Sequence, residues 1–534
     1  MIKIYDTTLR DGTQAEDISL LADDKVRIAR RLDLFGIHYI EGGWPGSNPK
    51  DFSFFNKIKD VELKQAKITA FGSTRKLENQ AECDPNLKAI VETGVSVATI
   101  FGKSWDFHVL NALHITLSEN LLIIEDSLAF LSCHMEEVFY DAEHFFDGFK
   151  NNREYALATL KAAVRGGARC LVLCDTNGGT LPDEIAVIVD IVRHELSDGV
   201  ALGIHAHNDS ETAVASSLLA VRHGVTQVQG TINGFGERCG NANLTSIIPN
   251  LQIKMGYNLI DPDKMAQLAS LSRYVDEIAN KRHSRHQPFV GRSAFAHKGG
   301  IHVSAVQKDP LTYEHIDPEL VGNQRRILIS DLAGRSNIIC KAQEYNLDLG
   351  SKENTEEILR QIKDLEEKGF QFEGAEASFE LLVRKTNGTY KPIFNFMGFR
   401  VMVNKYRHDR PPLTEATVML EVGGVIEHTA SVGEGPVDAL NRALRKALEK
   451  FYPDLKKVKL DDYKVRILSS DKGTSSVTRV LIDSKDDLGN KWGTVGVSNN
   501  IIEASWQALI DGIEYKYNMQ GGECELSNGD SDHK

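Results

Sequence analysis

The sequence predicts an α/β chain: a (β/α)8 TIM barrel over residues 1–255, a helical linker subdomain over 256–380, and an α+β regulatory domain over 381–518. Three observations carry this reading. Eight short apolar β-type runs alternate with amphipathic helical patterns across the first 250 residues. Polar, chemically versatile residues fall at the ends of those runs, where a barrel keeps its active site. Beyond residue 380 the text turns strand-rich and repeats itself weakly.

The strand candidates are 2–8, 37–42, 67–72, 95–101, 136–141, 170–175, 201–206 and 226–232. Between them lie patterns such as "ADDKVRIARRLDLFG" and "NREYALATLKAAVRGG", with charge facing out and a glycine stop. An open doubly wound sheet is the rival architecture. It opens with a glycine-rich turn after its first strand, which "TTLRDGTQ" is not. Residues 256–380 read as mostly helical and carry a second polar cluster, "AFAHKGGIH". In the last part, strands near 415–432 lead into "GEGPVDALNRALRKAL", and strands near 464–498 lead into "VSNNIIEASWQALIDGI". Each repeat half would expose strand edges that pairing of two chains would cover, which predicts a homodimer. Residues 519–534 are polar and are expected to be disordered.

At 534 residues the chain is too long for a single core. Its 41% hydrophobic and 26% charged content is that of an ordinary globular protein. A net charge of −13 argues against a nucleic-acid partner. No apolar stretch reaches the roughly 18 residues that span a bilayer, and no basic-then-apolar leader opens the chain. A cytoplasmic location without membrane partners is therefore expected. Seven cysteines form no CxxC pair, and Cys170 and Cys174 share one strand face, so both are expected to be buried reduced thiols.

The chemistry begins with "GIHAHND". His205 and His207 lie two apart on a strand, so their imidazoles share a face. A lone pair of this kind needs no metal. Asp11 at the end of the first strand supplies the oxygen ligand that makes an open divalent site, suited to Zn, Mn or, less well, Mg. Such an ion polarises a chelating substrate, and a 2-oxo acid is the natural chelate. Arg10 would stabilise the alkoxide that forms, and Thr176 would bind the carboxylate. His302, preceded by two glycines, is the candidate base, with His297 its rival and Glu143 able to orient it or share the proton. Glu237 and Asn241, in the loop after the eighth strand, could support the ligands. Glu41 ends the second strand and is a further candidate substrate-binding residue.

"YDTTLRDGTQ", "GIHAHND", "NGFGERCGNANL" and "HKGGIH" resemble the signatures of the isopropylmalate, homocitrate and citramalate synthase family over residues 1 to about 518. "FGKSWDFH", "YDAEHFFDG" and "LVLCDTNGGTLP" are more similar to the citramalate-forming branch than to the isopropylmalate-forming one. The resemblance implies condensation of acetyl-CoA with pyruvate, thioester hydrolysis, an allosteric C-terminal domain and isoleucine as feedback effector. It places metal ligands on Asp11, His205 and His207, with the loop asparagine on Asn241. It places the carbonyl-polarising arginine on Arg10, the catalytic glutamate on Glu143, the catalytic histidine on His302 and an active-site tyrosine on Tyr313. The family's "EVGFP" is "EGGWP" here, which changes the surroundings of Glu41.

Phe71, Phe101 and Tyr140 fall at or near strand ends, where the side chain of the 2-oxo acid should point. Three aromatics there leave room for a methyl, unless they only fill barrel layers. Rival readings are an isopropylmalate-forming synthase taking 2-oxoisovalerate, an acyl-CoA-cleaving metal-dependent lyase, and a non-catalytic amino-acid sensor.

Overall fold

The computed structural model describes residues 1–196, 199–330, 332–468, 473 and 475–519. Cys524 and, apart from Met519, the tail from residue 519 lie outside the described residues. The first eight strands are β1 (Lys3–Asp6), β2 (Tyr39–Gly43), β3 (Lys67–Ser73), β4 (Val97–Lys103), β5 (Glu137–Glu143), β6 (Cys170–Asp175), β7 (Ala201–Ala206) and β8 (Gln227–Gly230). They pair in chain order, and β8 pairs back onto β1 in parallel to close the barrel. Parallel neighbours require a crossover, and helices such as Ala22–Phe35, Arg153–Arg165 and Pro182–Glu195 supply it.

Each helix forms for a local reason. In Ala22–Phe35, Ile28, Ala29, Leu32 and Phe35 make one buried stripe, and Gly36 ends it at φ 112°, a left-handed value that favours glycine. Asp84 caps Pro85–Glu92 by accepting from the Asn86 and Leu87 amides, with proline at the first turn.

Strand alternation sorts side chains between two cores. Tyr5, Tyr39, Val97, Phe139, Cys170, Val172 and Cys174 cluster together on one face. Ile4, Ile40, Ile100, Val138, Tyr140, Leu171 and Ile204 take the other and join the helix residues in the main core. Cys170 and Cys174 are buried free thiols, as expected.

The chain forms two compact units, one of residues 1–295 with 316–325 and one of residues 296–315 with 326 onward. The helical stretch expected over 256–380 is thus shared between them. In the second unit, β9 (Ala296–His297) pairs in parallel with β10 (Arg326–Ile327). Ile329, Ile338, Ile358, Ile362, Phe372 and Phe379 gather its adjoining helices into one core. Two antiparallel three-stranded sheets follow: β11 (Asn395–Asn404), β12 (Leu413–Val422) and β13 (Val425–Gly433), then β14 (Lys459–Ile467), β15 (Thr478–Lys485) and β16 (Lys491–Ser498). Each is followed by a helix, Pro436–Leu448 and Ile501–Met519, so the weak sequence repeat is a duplicated strand–helix unit. Ala416, Val418, Leu420 and Val422 of the first sheet pack with Ala439, Leu440, Ala443 and Leu444. Among the described residues no single helix is long and apolar enough to cross a membrane.

Candidate active site

Asp11 opens a single 3-10 turn after β1, His205 lies in β7, and His207 follows that strand by one residue. One ligand atom from each lies within 4.8 Å of the others, and all three residues are buried. His205 Nε2 is 3.3 Å from Asp11 Oδ2 and 3.4 Å from His207 Nε2. The other ring nitrogen, His205 Nδ1, meets Gln229 Oε1 at 2.9 Å. An amide oxygen only accepts, so Nδ1 carries a proton and donates it to Gln229, which turns Nε2 toward Asp11 and His207. Gln229 is itself held, donating from Nε2 to Asp141 Oδ1 at 3.2 Å.

Three buried atoms here have no hydrogen-bond partner among the described residues: Asp11 Oδ1, His207 Nδ1 and Asn241 Oδ1. Leaving such a group unpaired costs about 1–3 kcal/mol, so three in one place fit a bound cation better than a purely structural cluster. Asn241 forms an isolated antiparallel bridge with His207. It donates from Nδ2 to the Phe235 carbonyl at 3.0 Å, which commits the amide and leaves Oδ1 as the free acceptor. The charges agree with this. Burial opposes ionisation of Asp11, but Arg10, His205 and His207 together hold its carboxyl well below the usual carboxylate range. Burial and neighbouring His205 bring the His207 imidazole down to about 3, so it is a neutral ligand at working pH.

The loop after β8 reaches this spot only because it is glycine-rich. Gly240 has φ 86°, and a Cβ there would lie 1.9 Å from the Gly234 carbonyl oxygen. Arg238 ties neighbouring loops together, donating to both oxygens of Asp209 at 2.7 and 2.9 Å and to the Thr176 carbonyl at 2.7 Å.

Arg10 is fixed on two sides. Its Nε donates to Glu41 Oε2 at 2.6 Å, and its Nη1 is 3.2 Å from Asp11 Oδ2. Tyr5 donates to the second Glu41 oxygen at 2.8 Å and also meets the Thr99 hydroxyl. With both oxygens engaged, Glu41 acts on the guanidinium and orients it. The Arg10 guanidinium carbon sits 3.8 Å from the centroid of the Phe71 ring.

Phe71 and Phe101 stack at 5.6 Å, and the Trp44 ring stands edge-on to both, at 5.7 and 5.6 Å. Trp44 is held there by its indole N–H on Asn86 Oδ1 at 2.6 Å and its amide on Asp51 Oδ2 at 2.8 Å. Tyr140 does not join this wall. It takes the helix-facing side of β5, fully buried, with its hydroxyl 3.3 Å from Ser104 Oγ. The expectation for Tyr140 is off by one residue of strand parity, since Phe139 and Asp141 are the residues facing inward. Trp44 is the third ring instead.

Glu143 is the last residue of β5, and its carboxylate is ion-paired with Lys103 of β4. Thr176 Oγ1 accepts from the His144 amide at 2.8 Å and keeps its own proton to donate. In the second unit His302 is exposed and stacks on Tyr313, with centroids 4.1 Å apart. The rival His297 is buried, with Nε2 3.0 Å from Glu314 Oε1. That pairing occupies the His297 ring, while the His302 ring is exposed.

The sequence reading missed Trp44, Lys103, Gln229 and Asp141. Parity was the available signal for three of them. Gln229, Asp141 and Lys103 each lie two residues from another inward-facing position on their strand: Gln227, Phe139 and Phe101. Trp44 carried a different signal, the departure at "EGGWP".

Comparison with known proteins agrees with this geometry. The HMGL-like family matches residues 1–275, the homocitrate synthase post-HMGL domain-like family 289–369, and the LeuA allosteric (dimerisation) domain 373–517. The chain is 60% identical to the (R)-citramalate synthase of Geobacter sulfurreducens over 97% of each chain. It is 56% identical to that of Aquifex aeolicus, covering 96% of this chain and 97% of that one. It is 30% identical to the 2-isopropylmalate synthase of Methanocaldococcus jannaschii, over 96% and 94%. The barrel, its Asp11–His205–His207 cluster and its C-terminal repeat thus lie within matched sequence, and the chain belongs to the HMGL-like family, in its (R)-citramalate synthase group.

Proposed function

We propose that the protein condenses acetyl-CoA with pyruvate and hydrolyses the thioester, giving (R)-citramalate and CoA. The observation that carries this reading is the Asp11–His205–His207–Asn241 cluster, with unpaired buried atoms on Asp11, His207 and Asn241, directly beside a clamped Arg10. A divalent cation held by those four residues (Zn, Mn or Mg) would supply Lewis-acid polarisation of the 2-oxo acid.

The chain's own groups do the rest. Arg10, held by Glu41 and Asp11, donates to the keto oxygen as negative charge grows on it. Thr176 donates its free hydroxyl proton to the substrate carboxylate. His302 takes a proton from the acetyl methyl group, the resulting carbanion bonds to the keto carbon, and the alkoxide left as the C=O π bond opens takes up one proton to become the hydroxyl. Water then adds to the thioester carbonyl, the C–S bond breaks, and CoA leaves as the thiol. The C-terminal repeat acts as the dimerisation and feedback module, with isoleucine as effector.

Purified protein with acetyl-CoA and a panel of 2-oxo acids tests this. CoA release should require pyruvate and a divalent ion, the product should be (R)-citramalate, and isoleucine should slow the reaction. Preferred use of 2-oxoisovalerate would assign the chain to isopropylmalate formation instead.

Trp44, Phe71 and Phe101 form the wall that limits the side chain of the 2-oxo acid to a methyl. Trp44→Ala opens that wall without touching Arg10 or the ligands. The ratio of kcat/KM for 2-oxobutanoate over pyruvate should rise by about tenfold or more, since one methylene is worth about 10–200-fold in such a pocket. An unchanged ratio would leave the three rings as packing.

A further inference from the structure

Lys103 ends β4 as Glu143 ends β5, and the two are in register across the pair of strands. Both face inward, because Thr99 and Phe101, at two-residue intervals before Lys103, meet Tyr5 and Phe71. The Lys103 ammonium pairs with Glu143 Oε2, and the side chains are 22% and 24% exposed, so the pair opens to the barrel mouth. The same ammonium lies 5.5 Å from the Phe101 ring centroid. Phe101 stacks on Phe71, and Phe71 carries the Arg10 guanidinium.

Each ring of one stacked aromatic pair therefore has a cation beside it. An ammonium has three donors, and the ion pair with Glu143 does not exhaust them. If Lys103 served only to close the strand ends, a partly exposed pair would contribute little and would need no aromatic ring beside it. Rings shared with Arg10 instead connect the Lys103 ammonium to the part of the barrel mouth where Arg10 meets the keto oxygen, with apolar surface between the two cations. The condensation product matches that arrangement, a short dicarboxylate carrying a methyl group.

We propose that Lys103 binds the carboxylate created by thioester hydrolysis, while Arg10 serves the end that came from the 2-oxo acid. This rests on the reading given under Proposed function. Water supplies the new carboxylate oxygen, CoA departs with one proton as the thiol, and the remaining proton goes to solvent. Lys103 then pairs with Glu143 and the product carboxylate together, through different N–H groups.

The test is calorimetric binding of (R)-citramalate and of 2-hydroxy-2-methylbutanoate to the full-length protein with saturating Mn2+. The second ligand has a methyl in place of the carboxylate in question. Wild type should prefer citramalate by about 10–100-fold, the range of one charge-assisted hydrogen bond. Lys103→Gln and Lys103→Met should reduce that preference to within about threefold while binding the monocarboxylate as wild type does, which also reports that they fold. A preference retained in both variants overturns the proposal, and so does equal weakening of both ligands. A raised pyruvate KM with the preference intact would move Lys103 to the other end of the substrate and also overturn it. Wild-type turnover without any preference defeats this proposal alone. A preserved preference without turnover of acetyl-CoA and pyruvate defeats the reading it rests on.

Discussion

Asp11→Asn is expected to abolish citramalate formation and to lower divalent-metal affinity by at least about a hundredfold. Loss of an outer partner of a metal ligand already costs about 10–100-fold, and here a ligand itself is neutralised. The carboxylate also holds Arg10 Nη1 at 3.2 Å and His205 Nε2 at 3.3 Å, so charge and orientation fail together. The substitution is nearly isosteric, which keeps the barrel folded and makes the effect chemical. Titration calorimetry with Mn2+ or Zn2+, alongside turnover, checks it. Metal affinity equal to wild type would remove Asp11 from the ligand set.

His302→Ala is expected to cut kcat by about 10²–10⁴-fold, the usual cost of losing a general base. Metal affinity and pyruvate binding should be unchanged, because His302 belongs to the second unit and the ligand cluster to the first. The same variant should stop exchange of the acetyl-CoA methyl protons with deuterated solvent, a readout that a structural role would not move. His302 is exposed and stacks on Tyr313, so its loss leaves no buried gap. Turnover at the wild-type level would put the base elsewhere. His297 is a poor replacement while Glu314 holds it.

The ligand set was readable because its signals are short in sequence. An i, i+2 pair on a strand fixes the face of both histidines whatever the rest of the chain does. The strand-end position of Asp11 follows once the barrel is inferred from eight alternating units. The pocket wall was not readable in the same way. Tyr140 and Phe139 are adjacent aromatics on one strand, and only the register decides which faces inward. The division of residues 256–380 between two units also escaped, because helical periodicity reports a buried face and not the body that buries it.

The sequence by itself determined the eight-unit barrel, the duplicated C-terminal module and the meeting of Asp11, His205 and His207. These rest on local periodicity and on chemistry carried by single residue types. Only the tertiary structure decided which partners hold those groups: Gln229 fixing the His205 tautomer, Glu41 clamping Arg10, Trp44 completing the aromatic wall and Lys103 meeting Glu143. Each of those pairs joins residues distant in the chain, through side-chain directions that strand register and loop path set together. No local pattern records a contact of that kind.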